Sequence, residues 1–117
     1  MLTIRAEQMK TMSEPVDARF RERLVEHVAR VFPQSAKGLG PNGLTTFVDD
    51  GVARARKVGF RSERQISRFL DLCMPLGPGF EKTAWARRVI EDRNHDADTR
   101  ILMLQLEAKR NGRRSAS

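Results

Sequence analysis

Met12, Val16, Phe20, Leu24 and Val28 recur every four residues, with Val25 and Phe32 beside them. That spacing gathers apolar side chains on one stripe of a helix and leaves Arg19, Arg21, Glu22, Arg23 and Glu26 on its other faces. A one-sided stripe is stable only if other elements cover it, and the rest of the chain offers helices of the same kind. Leu44, Phe47, Val48, Val52 and Ala55 predict a second helix over about 44–58. Ile66, Phe69, Leu70 and Cys73 fall at i, i+3, i+4 and i+7 of a third. Trp85, Val89 and Ile90 mark a short fourth, and Ile101, Leu102, Leu104 and Leu106 supply the apolar positions of a fifth. No segment alternates apolar and polar residues, so the fold class is all-α: a single compact domain of about five helices over residues 1–110.

The boundaries are written in caps and breakers. Ser13 can cap the first helix with Pro15 in its first turn, which makes residues 4–12 a separate short helix or a kinked extension. Pro33 stops that helix, and three glycines and a proline within Lys37–Gly43 predict a loop. Gly59 is placed to close the second helix in the left-handed conformation, with Phe60 packing back over the end. Ser62 and Gln65 form a capping box for the third, which Pro75–Gly79 breaks, and Thr83 caps the fourth. Glu91–Asp98 reads as a turn ending in a cap at Asp96 or Asp98. Nothing after Arg110 asks to be buried, so 111–117 is expected to be a flexible, disordered basic tail.

Catalysis needs tunable groups in a constellation, and the inventory is thin. One cysteine, Cys73, excludes an internal disulfide and suits a reducing compartment; its place on an apolar stripe predicts an inert thiol. His27 reads as a boundary residue. His95 with Asp92, Asp96 and Asp98 has the composition of a metal site but lacks a second histidine at ligand spacing, so turn and capping duty is the stronger reading. Asp49 and Asp50 are neighbours pointing about 100° apart on a helix. The glycines at 38, 40 and 43 lack the lysine and hydroxyl residue of a phosphate loop. The chain is therefore expected to be no enzyme, with no catalytic residue, metal or cofactor. Without a signal peptide or an apolar run of membrane-spanning length it is expected in the cytoplasm, with no membrane span.

Charge permits an acidic partner, nucleic acid or an anionic membrane surface and does not choose among them. The net charge is +7, but residues 109–117 hold +4 of it, and the other concentration is a local +5 over 54–68. There Arg54, Lys57, Arg61, Arg64 and Arg68 form a candidate basic binding face. Two helices joined at Gly59 have the outline of a helix-turn-helix, with small Ala55 four residues before the glycine. The β-branched anchor, Ile66, comes one residue late, a rotation of about 100° away from the expected direction. Candidate apolar contacts for a protein partner are Ile4, Met9 and Met12 near the start, and Phe80 and Trp85 around the glycine-proline loop; core packing is the competing reading for both groups.

Leu2–Met9, Arg19-Phe20, Val25-Glu-His-Val28, Phe32-Pro33, Gly51–Arg56, Gly59-Phe60, Ser62-Glu-Arg64, Arg68–Leu72 and Leu76–Phe80 together resemble a family of small helical bacterial proteins associated with type VI secretion loci. The resemblance spans about residues 2–90. It departs at Ser13–Val16, where a proline interrupts an apolar helical stretch, and in the basic end after Lys109. It implies an accessory protein, adaptor or chaperone-like, that binds an effector or spike component from its own operon, and transfers no catalytic residue. An immunity protein belongs to the same binding class, and a nucleic-acid binder using residues 54–68 is the alternative.

Overall fold

The computed structural model describes residues 17–116, with side chains through residue 111. These form five α-helices: α1 (Ala18–Val31), α2 (Pro33–Lys57), α3 (Glu63–Leu76), α4 (Ala84–Ile90) and α5 (Ala97–Ala116), with a 3₁₀ turn at Phe80–Lys82 between α3 and α4. Met12, Ser13, Pro15 and Val16 lie outside the described residues, as do Ile4 and Met9. At the start of α1, Asp17 is the cap, its carboxylate accepting from Arg19 N at 3.2 Å.

The first departure from the sequence reading is at Pro33. It ends α1 but also opens α2, since a proline in the first turn gives up no helical hydrogen bond and its φ is already set for the helix. The expected loop over 37–43 shrinks to a single broken residue, Gly40, with φ 76° and ψ 169°. Pro41 restarts the helix after it, and Thr45 Oγ1 donates to the Pro41 carbonyl at 3.0 Å. Burial decides this against the low propensity of the glycines: Ala36 before the break and Leu44 after it both enter the core.

The other boundaries follow the sequence closely. Gly59, at φ 103°, closes α2; Phe60 N donates to Ala55 O and Gly59 N to Arg56 O, the two bonds of a Schellman motif. Gln65 N donates to Ser62 Oγ at 3.1 Å while Ser62 N and Arg61 N donate to Gln65 Oε1. Pro75 sits inside the last turn of α3, which Gly77 terminates at φ 94°. Thr83 is the cap residue of α4, but its hydroxyl turns back to the Phe80 carbonyl at 2.7 Å. Asp96 caps α5, accepting from Thr99 N at 2.9 Å. The helix continues to Ala116, beyond the Arg110 at which the sequence reading ended the domain.

Helix α3 is central. It packs on α1, α2, α5 and the 3₁₀ turn, while α4 packs on α5 and on that turn. Its buried residues, Ile66, Phe69, Leu70, Leu72 and Cys73, accordingly span an arc of about 160° round the helix. They meet Leu24 and Val28 of α1, Val48, Val52 and Ala55 of α2, and Ile101 and Leu104 of α5 in one continuous core. Where α2 crosses α3, Gly51 faces Leu70 so closely that a Cβ there would collide with the leucine's methyl group. Phe60, Phe69, Phe80 and Trp85 form an aromatic row with successive centroids 6.0, 5.1 and 6.2 Å apart. In α5 the periodicity was only half informative. Ile101, Leu104 and Ala108 are buried, whereas Leu102 and Leu106, expected among the packing positions, face outward.

Candidate functional site

The five candidate cations of residues 54–68 do not share a face. Arg54 turns inward: Nη1 donates to Asp50 Oδ2 at 2.7 Å, Nε to Glu81 Oε2 at 2.9 Å and Nη2 to Cys73 Sγ at 3.2 Å. Its guanidinium also lies 5.9 Å from the Phe69 ring centroid. Burial works against that charge, and the hydrogen bonds to Glu81 and Asp50 more than compensate, so the Arg54 pKa is raised. Glu81 is 5% exposed, a buried carboxylate with this one arginine across from it. Arg54 is thus a strut joining α2, α3 and the 3₁₀ turn, and leaves the binding face assigned to it. Cys73 beside it is buried, with its thiol pushed up to about 12 chiefly by desolvation, which fits the inert thiol expected of it.

Arg68 is half-buried and donates through Nη1 to Gln105 Oε1 of α5 at 3.0 Å, so it too serves the packing of helices. Lys57, Arg61 and Arg64 remain: exposed along the α2–α3 turn, with no side-chain partner among the described residues. Lys57 lies in the last turn of α2, where a cation suits the negative end of the helix. Arg61 and Arg64 flank the start of α3, where the helix end is itself positive. Glu63 between them is held by Arg23 of α1 in a forked ion pair at 2.9–3.1 Å.

Ile66 is fully buried despite coming one residue late, because Gln65 is taken by the capping box and by Asp98, to whose Oδ1 its Nε2 donates at 2.6 Å. On the outer side of α3, Glu63 and Arg68 are bound within the protein, while Arg64 is exposed.

Among the apolar candidates, Phe80 is 4% exposed, tilted against Phe69 and stacked on Trp85, so it belongs to the core and not to the partner-contact surface expected of it. A residue after a glycine-proline loop looks like an interface anchor in sequence, but the 3₁₀ turn folds this one under α3. Trp85 is half-buried against the same core. The histidines have internal partners: His27 Nε2 lies 2.7 Å from Asp71 Oδ1, and His95 Nδ1 lies 3.0 Å from Asp92 Oδ2. Burial raises the Asp71 carboxyl, opposed by His27 and Arg68. Asp92 and Asp96 are both held low, Asp92 by the Asn94 amide and His95, Asp96 by the Thr99 amide and hydroxyl. Asp49 and Asp50 diverge as their adjacency requires, to Arg21 and Arg54. Among the described residues no three of His, Cys, Asp and Glu are arranged to hold a metal ion, and no helix is long and apolar enough to cross a membrane.

Among the open concavities formed by the described residues are these two. One, of about 500 Å³, lies at the α2 break and is lined by Ala29, Pro33, Ala36, Pro41 and Leu44 among others. The second, about 620 Å³, is bordered by Lys57, Glu91, Arg93, His95 and Arg100 where α2 and α4 end. Arg100 there donates to the Ile90 carbonyl at 2.6 Å, and the basic residues around it neutralise two helix C-termini. Comparison of the chain with family models, curated proteins and solved structures finds no match.

Proposed function

We propose that this is a non-enzymatic accessory protein, adaptor or chaperone-like, that binds an acidic surface of a partner protein through Lys57, Arg61 and Arg64. The observation that carries the reading is the position of Arg61 and Arg64. Both stand at the positive end of α3 with no side-chain partner among the described residues, so their charges add to the helix field instead of offsetting it. Fold stability gives no reason for such placement; a carboxylate-bearing partner does. A type VI secretion setting, with an effector or spike component as the partner, rests on the sequence resemblance, and the cytoplasm as the site of action on the lone Cys73, which suits a reducing compartment. A protein partner is favoured over nucleic acid because the strip offers three charges beside a fixed Glu63, and phosphate backbones are held by larger sets of cations.

The test is co-purification with the products of neighbouring genes. The native protein is expected to retain one of them at a fixed ratio, and a variant carrying Lys57→Glu, Arg61→Glu and Arg64→Glu is expected to lose it while keeping its helical circular dichroism. Failure to retain any neighbour, or retention that the triple variant leaves intact, refutes the proposal. Duplex DNA binding with a log–log salt slope near −3 establishes the nucleic-acid alternative, at roughly 0.9 per phosphate contacted.

A further inference from the structure

Helix α5 shows the solvent a second apolar stripe. Leu102 and Leu106 are 49% and 63% exposed and sit one turn apart, on the side away from Ile101, Leu104 and Ala108. Thr99 and Lys109 bound this apolar pair three residues out on either side. Charge along this face is bipolar. Asp98 lies at its beginning and meets the neutral Gln65 amide, so its charge is uncompensated by that bond. Lys109 lies at its far end, exposed and without a side-chain partner among the described residues. At 100° and 1.5 Å per residue, Asp98 and Lys109 share one flank of the seam, about 20° apart around the axis and about 16 Å apart along it.

We infer that this face pairs with a second copy of itself, antiparallel, about a two-fold axis near residue 104. That single register places Leu102 against Leu106 of the partner subunit and Asp98 against Lys109 of the partner subunit, and symmetry makes each pair twice. Both residue pairs are centred on nearly the same point of the helix, so the apolar and ionic matches do not compete. A parallel pair gathers both Asp98 side chains at one end and both Lys109 at the other, on opposite flanks of the seam, and forms no ion pair between them; a uniformly acidic or basic partner leaves one end of the face opposed by like charge. A second copy matches both ends. One helix paired over residues 98–110 lies at the small end of specific interfaces, so the dimer is weak and concentration-dependent. This face uses none of Lys57, Arg61 and Arg64, so the dimer and the proposed partner binding stand or fall separately.

Sedimentation equilibrium of the full chain from about 10 μM to about 1 mM, a range that brackets weak association, provides the test. The weight-average mass is expected to rise from 13.3 kDa toward twice that value. Leu106→Asp is expected to weaken association by roughly a hundredfold, because symmetry removes the leucine twice. Both positions are exposed, and unchanged circular dichroism verifies the fold. Lys109→Asp is expected to weaken it by about several-fold, with Asp98→Lys in the same chain restoring it. A monomer at every concentration, or association indifferent to Leu106→Asp, overturns the dimer; association indifferent to Lys109→Asp overturns the antiparallel register.

Discussion

Arg54 carries a charge that the sequence assigns to the surface and the fold places inside. Its guanidinium is shared between Glu81, Asp50 and Cys73, and Glu81 is buried opposite it. Removing one partner of such a pair leaves the other charge stranded, which costs about 3 kcal/mol or more. Arg54→Met is therefore expected to lower the urea midpoint sharply. Glu81→Leu added to it should recover most of the loss, since an apolar pair of similar volume needs no counter-charge. A single variant as stable as the native protein shows that the pair does not brace the turn. Glu81 went unremarked in the sequence because a lone acid between Phe80 and Lys82 looks solvated. Nothing local marks it for burial, since Lys82 follows it directly and the cation it meets, Arg54, lies 27 residues away in the chain.

At the scale of elements, local chemistry was most readable where it is self-contained. The Ser62–Gln65 capping box and the Gly59 closure each involve atoms within a few residues, so sequence spacing specified their geometry. The 37–43 stretch failed because its outcome depends on Ala36 and Leu44 finding the core, a contact that no local rule contains. Gly51 belongs to the same class: an unremarkable helical glycine in sequence, it lets α2 approach Leu70 of α3. Gly51→Ala gains about 1 kcal/mol in helix propensity, but must displace a fully buried leucine, and overpacking of that kind costs about 1–3 kcal/mol. The expected result is a net lowering of the thermal midpoint, with Leu70→Ala added as partial rescue; a raised midpoint shows that the crossing has room to give.

For the whole molecule, the carboxylates set how stability follows acid. Asp92 and Asp96 have folded pKa values below their unfolded 3.8, so they stabilise above that value and lose this contribution as pH falls through the lowered ones. Asp71 has the opposite sign. Its folded pKa is raised, so its contribution is full below 3.8 and is lost as pH rises through the folded value. Thermal melts at successive pH values are expected to show stability rising slightly as pH falls toward 4 and dropping below it. Asp71→Asn should remove the rise and Asp96→Asn should reduce the drop; a profile unchanged in either variant refutes the corresponding assignment. Sequence by itself determined the all-α class, most of the helix boundaries and the core stripes of α1, α2 and α3, because 3.6-residue periodicity and capping are properties of a chain with its near neighbours. Tertiary structure alone decided that Arg54 and Phe80 go inside, that Leu102 and Leu106 stay outside and that Lys57, Arg61 and Arg64 have no side-chain partner among the described residues. Those outcomes follow from which helix packs on which, and a charged or apolar side chain has no address until another element arrives to cover it or to leave it in water.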